Sequence, residues 1–145
     1  MNMQKYLKPQ VAAIQPSVIR KFFDLAAKME GVVSLGIGEP DFSTPLPFCE
    51  AGWRSMQQGK TGYSPNPGLL ELRQAISAYL QQLLGLTYRP EDQIVVTVGG
   101  SEAIDATCRA LLCPGDEVLI PEPAFVSYAP CVELCGALAV PLPTC

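Results

Sequence analysis

Two kinds of apolar pattern alternate along the chain, one at helical spacing and one in short continuous runs. Val18, Ile19, Phe22, Phe23, Leu25, Ala26 and Met29 share one helical face. Ser17 is placed to cap that helix and Gly31 to end it. A short strand is expected over Val32 to Leu35, then a loop through Gly36-Ile37-Gly38-Glu39-Pro40-Asp41. Thr44 followed by Pro45 has the form of an N-cap and first helical residue. The helix they open carries Leu46, Phe48, Cys49, Trp53 and Met56 and stops near Gly59.

A stretch dense in turn residues follows, Lys60-Thr61-Gly62-Tyr63-Ser64-Pro65-Asn66-Pro67-Gly68. Leu69 to Leu84 then predicts a helix, with Leu69, Leu72, Ala75, Ile76, Tyr79, Leu80 and Leu83 at helical spacing and Gly85 as its stop. Arg73 projects from that helix and reads as a solvated or ion-paired surface residue. The last third changes character. Ile94-Val95-Val96-Thr97-Val98 is a β-branched run of the kind buried on both faces of a sheet. Gly99-Gly100-Ser101 turns into a helix through Leu112, and Pro114-Gly115-Asp116 makes a turn. Strands are expected over 117–120 and 138–142, with a helix near 126–135 between them. This β-α-β-α-β order implies a parallel sheet with right-handed crossovers.

The fold class is therefore α/β. Parallel sheets need helices on both faces, and these residues supply few of them. The chain reads as the first part of a larger α/β protein, leaving a sheet edge and apolar faces open. No internal repeat is present.

Composition narrows the function. The 145 residues are 48% hydrophobic and 17% charged, too apolar for a disordered segment. Ten Lys+Arg against 14 Asp+Glu give a net charge of −4, which argues against nucleic acid as a partner. The absence of histidine removes most zinc sites and every Ser-His-Asp or Cys-His arrangement, and no metal is expected. No apolar run is long enough for a membrane span, and MNMQKYLKPQ has no apolar core for a signal peptide. The six cysteines lack a C-x-x-C pair and read as free thiols in a reducing, cytoplasmic setting.

Candidate chemistry lies in two loops. Amides at the start of the helix after 94–98, with two glycines allowing close approach, form an anion site suited to phosphate. Ser101 adds a hydroxyl donor there, or else simply caps the helix. Pro121-Glu122-Pro123-Ala124-Phe125 follows the next strand, at the edge where α/β ligands bind. Phe125 is placed to stack on a planar ring, or to be a core residue. A nicotinamide-dinucleotide site fits poorly: G-x-G-x-x-G is absent, and Glu117 opens its strand rather than ending it.

Four ordered blocks then carry a resemblance. They are Ser34-Leu35-Gly36-Ile37-Gly38-Glu39-Pro40-Asp41-Phe42, Tyr63-Ser64-Pro65-Asn66-Pro67-Gly68 with Glu71-Leu72-Arg73, Val96-Thr97-Val98-Gly99-Gly100-Ser101-Glu102-Ala103, and Pro114-Gly115-Asp116-Glu117-Val118. From Ser17 onward the sequence resembles the N-terminal part of a class I/II aminotransferase, a fold-type I enzyme dependent on pyridoxal 5'-phosphate. The resemblance implies an incomplete fold: an N-terminal arm and part of the small domain over 1–44, and over 45–145 the truncated start of the large cofactor-binding domain. It implies that Gly38 offers its amide to the substrate carboxylate and that Tyr63 reaches the cofactor phosphate of the neighbouring subunit of a homodimer. Gly100 and Ser101 would hold the phosphate of the subunit's own cofactor, and Phe125 would stack on the pyridine ring. Glu39 and Asp41 would be structural acids of their loop.

The family's Schiff-base lysine falls in a Ser-x-x-Lys-like segment that these residues do not reach, so no catalytic residue is assigned. Lys5, Lys8, Lys21, Lys28 and Lys60 stand in the wrong context. The expectation is an N-terminal fragment of an enzyme that exchanges an amino group between an amino acid and a 2-oxo acid, inactive by itself. The alternatives are a non-catalytic module that binds cofactor or phosphate, or a module that docks onto a full-length homologue.

Overall fold

The computed structural model describes residues 3–14, 22–23, 25–26, 28–33, 38 and 40–144. A 3-10 turn, Met3–Tyr6, leads into α1 (Pro9–Ala13), followed by α2 (Leu46–Gln57), α3 (Leu70–Leu84) and α4 (Gly99–Leu111). The chain finishes in β1 (Glu117–Glu122), α5 (Tyr128–Leu134) and β2 (Leu138–Pro143). It divides into two compact units, the first of residues 1–33 with 98–145 and the second of residues 34–97.

In the first unit β1 and β2 pair parallel, from Glu117 opposite Leu138 to Glu122 opposite Pro143. Parallel neighbours need a crossover, and α5 supplies it. Ile120, Val132 and Ala137 form the core, with Cys108, Leu112, Val118, Ala129 and Ala139 packed around them. Helix α4 meets this core along one stripe, since Ile104, Cys108 and Leu112 recur every four residues and all three are half-buried. The turn to β1 is fastened by the Asp116 carboxylate, which accepts the Cys113 N–H at 2.7 Å. The fold is thus α/β, with N-terminal helices and a small parallel sheet.

In the second unit α3 ends at Gly85, left-handed at φ 69°, whose N–H closes onto Gln81 O. Its inner stripe is Arg73, Ile76, Ser77 and Leu80, whereas Leu69, Leu72, Tyr79 and Leu83 of the expected apolar face stay exposed. Helix α2 has no buried residue, and it begins one residue later than expected, with Pro45 at the cap.

Two expected strands differ. Residues 94–97 join no ladder among the described residues, and Val98 is the cap of α4. The run has strand composition, but a strand exists only where a neighbour completes its hydrogen bonds. One such bond goes instead to a loop, from Val96 N–H to Pro67 O at 3.0 Å. Val32 and Val33 are likewise outside any strand, and Ser34 and Leu35 lie outside the described residues. Of the helix expected over 17–29, Phe22, Phe23, Leu25 and Ala26 are helical, while Ser17, Val18 and Ile19 lie outside the described residues.

Candidate functional site

The first unit brings two of the expected elements to one end. Helix α4 enters a short turn and β1 follows, so helix and strand run in opposite directions. Thirteen helical residues and six strand residues each span roughly 20 Å. The start of α4 therefore lies at the end of β1 that leads to Phe125. Side-chain neighbours agree: Ile104, from the first half of α4, lines the same hollow as Pro121 and Tyr128. Gly100 and Ser101 stand about one turn before Ile104.

At this end the first turn of α4 is open. Gly99, Gly100 and Ser101 are exposed, and a Cβ placed on Gly99 or Gly100 would meet nothing within 4 Å. Ser101 is not the cap; that position belongs to Val98, whose N–H donates to Glu102 Oε2. The Glu102 carboxylate thus already occupies part of the positive end of the helix dipole.

Past β1, Phe125 is half-exposed and meets Tyr128 edge to face, with ring centroids 5.7 Å apart. Its side chain borders a cavity of about 430 Å³ at the carboxyl edge of the sheet, bounded also by Glu122, Pro123, Val126, Ala129 and Thr144. Thr144 fixes the rim by donating its N–H and hydroxyl to Glu122 O, at 3.2 and 2.6 Å. No lysine or arginine lines this cavity. An anion at this end would be met by amides and the helix dipole, and a planar ring by Phe125. These groups fit the phosphate and the ring of a pyridoxal phosphate, with Glu102 and Glu122 as the opposing charges.

Gly38 and Tyr63 belong to the second unit. Gly38 is exposed, and a Cβ there would meet nothing within 4 Å; Glu39 lies outside the described residues. Tyr63 is fully exposed at the middle of the Lys60–Gly68 loop. The base of that loop is tightly held. Gly68 N–H donates to Pro65 O at 2.8 Å, and Gly68 lies against Val96 so closely that a Cβ would fall 2.7 Å from its Cγ2.

Arg73 corrects the sequence reading. It is 6% exposed, and its guanidinium donates to Gly68 O at 3.2 Å, to Glu91 O at 3.1 Å and to Pro90 O. The signal was present: Arg73 shares a helical stripe with Ile76 and Leu80, and Pro65, Pro67 and Pro90 in the loops flanking α3 add main-chain acceptors without donors. Three arginines pair locally, Arg54 with Glu50, Arg89 with Asp92 and Arg109 with Asp105. The hydrogen bond with Arg89 holds the Asp92 carboxyl below its usual range. Burial, with Cys135 and Asp105 nearby, pushes the Cys108 thiol up. Burial also raises Cys131, helped by Asp105 and the other two thiols.

The family model for aminotransferase class I and II matches residues 30–144. The chain belongs to that family. It is 52% identical over 138 residues to YugH of Bacillus subtilis (strain 168), a protein that bears an aminotransferase name, covering 95% of this chain and 36% of that one. It is 49% identical over 131 residues to the aspartate aminotransferase of Pyrococcus abyssi, covering 90% of this chain and 34% of the relative. The structure of Thermus thermophilus aspartate aminotransferase with maleate superposes with a TM-score of 0.87 at 40% identity, over 96% of this chain and 37% of that one. The chain thus spans about a third of the length of the curated relatives it matches.

Proposed function

We propose that this chain is the N-terminal part of a pyridoxal-phosphate-dependent aminotransferase that moves an amino group between an amino acid and a 2-oxo acid. The observation that carries the reading is the open first turn of α4 at the end of the first unit where Phe125 borders a cavity. Family membership and the likeness to aspartate aminotransferases support it. Residues 1–44 then form an arm and part of a small domain, and 45–145 open the large cofactor-binding domain.

Each residue has one task. Gly100 presents its amide, and Ser101 its amide and hydroxyl, to the phosphate. Phe125 holds the ring flat and keeps water from one of its faces. Tyr63 brings a phenol to the phosphate bound by the neighbouring subunit of a homodimer, and Gly38 offers an amide to the substrate carboxylate. Pyridoxal phosphate, when bound, supplies the electron sink that lets an amino acid lose its α-proton. Moving that proton requires a base, and no lysine of these 145 residues stands in the family's context. The chain by itself therefore binds without turnover. The reading also places it in the cytoplasm, in keeping with Cys49, Cys108, Cys113, Cys131 and Cys135 all being free thiols. Among the described residues no helix is long and apolar enough to cross a membrane.

Equilibrium dialysis of the purified chain against pyridoxal phosphate and pyridoxal tests the proposal. Tighter binding of the phosphorylated compound, with no amino transfer from added amino acids to 2-oxo acids, is the expected result. Equal binding of the two compounds would remove the phosphate site, and measurable transfer would remove the claim of inactivity.

A further inference from the structure

The buried guanidinium of Arg73 has no task in the function proposed above, and its surroundings in the second unit suggest one. Burying a guanidinium is expensive unless its donors are satisfied. Among the described residues Arg73 makes no ion pair; the acceptors are the main-chain carbonyls of Gly68, Pro90 and Glu91. A rigid planar fork can hold two separate stretches of backbone at fixed spacing, which the single point charge of a lysine cannot do. One stretch is the base of the Tyr63 loop. That base is also held from Val96, whose N–H donates to Pro67 O at 3.0 Å and whose side chain touches Gly68. Tyr63, five residues before Gly68, is fully exposed and has no such fastening of its own among the described residues.

We propose that Arg73 is a positioning residue for Tyr63. It locks the Pro65–Gly68 turn onto Pro90–Glu91 and so fixes the platform from which the Tyr63 phenol meets the phosphate of a pyridoxal phosphate on the neighbouring subunit. The proposal rests on the role given to Tyr63 above.

The test compares pyridoxal phosphate with pyridoxal on the whole chain, because a general loss of structure weakens both whereas a displaced phenol weakens only the first. Tyr63→Phe is expected to lower pyridoxal phosphate affinity roughly tenfold, the loss of one hydrogen bond to a charged group, and to leave pyridoxal unchanged. Arg73→Met is expected to give the same selective loss, and the Arg73→Met/Tyr63→Phe pair no more than either alone. Arg73→Lys, which keeps the charge without the fork, recovers only part, and it decides the matter if Arg73→Met does not fold. A selective loss in Tyr63→Phe with full affinity in Arg73→Met, or an equal loss of both compounds in Arg73→Met and Arg73→Lys, would overturn the positioning role alone. Wild-type chain that binds the two compounds equally would instead bring down the role of Tyr63, and the role of Arg73 with it.

Discussion

Two glycines with the same backbone sign show how surroundings decide the outcome of one substitution. Gly68 at φ 96° and Gly85 at φ 69° both sit where a side chain is strained, but a Cβ at Gly68 would strike Val96 and one at Gly85 would meet nothing within 4 Å. Gly85→Ala should destabilise the second unit by about 1 kcal/mol, the backbone cost alone. Gly68→Ala should cost roughly 2–4 kcal/mol, because a clash is added. Urea unfolding of the two variants gives the comparison, and equal losses would contradict it. Phe125→Ala should weaken pyridoxal and pyridoxal phosphate alike, since a stacked ring does not sense the phosphate; dialysis against both ligands reads this. Single residues were unevenly legible in the sequence. Gly85 can be marked as a helix stop from local chemistry, whereas the sequence alone presents Arg73 as a surface residue. Its partners lie 5, 17 and 18 positions away on loops whose path helical spacing does not reveal.

At the scale of elements, the start of α4 sets stability against the binding proposed for it. The Glu102 carboxylate satisfies the Val98 N–H and faces the helix dipole favourably. Glu102→Ala should destabilise the first unit by about 1 kcal/mol. It should also strengthen the binding of inorganic phosphate by removing a like charge; thermal melts and phosphate titration separate the two effects. The joint of α4 with α5 should be sensitive to alkali. Cys108 and Cys131 have raised pKa values, so the fold favours their protonated form. That contribution is complete below the ordinary thiol range and disappears as pH climbs through the raised values. Melting temperature should therefore fall above roughly pH 9, and replacing both cysteines by alanine should flatten that part of the curve. The helices α2 to α5 and the strands β1 and β2 were legible to within a few residues, because periodicity and turn residues are local. The segment 94–97 was not, because a ladder depends on a neighbour that local pattern cannot supply.

Each unit, taken whole, has little interior. The buried apolar residues of the first are Ile120, Cys131, Val132 and Ala137, and Ile94 is the buried one of the second, among the described residues. Leu46, Phe48, Trp53 and Met56 of α2 are exposed together, as are Leu119, Leu138 and Leu142 of the sheet. Surfaces of this kind bind hydrophobic dyes and self-associate. The purified chain should enhance the fluorescence of anilinonaphthalene sulfonate and elute above its monomer mass of 15.6 kDa. A silent dye and a monomeric peak would show these faces to be covered in solution. The α/β class and an uncovered sheet were legible from the order of strands and helices and the scarcity of covering helices. The division into two units was not, since it depends on contacts between residues far apart in sequence.

The β1–α5–β2 crossover closes within one continuous stretch, from Glu117 to Pro143. Paired residues on the two strands stand 21 positions apart, and closure entropy grows only slowly with loop length, so this supersecondary unit can condense from its own stretch of chain. During synthesis it can form soon after β2 leaves the ribosome.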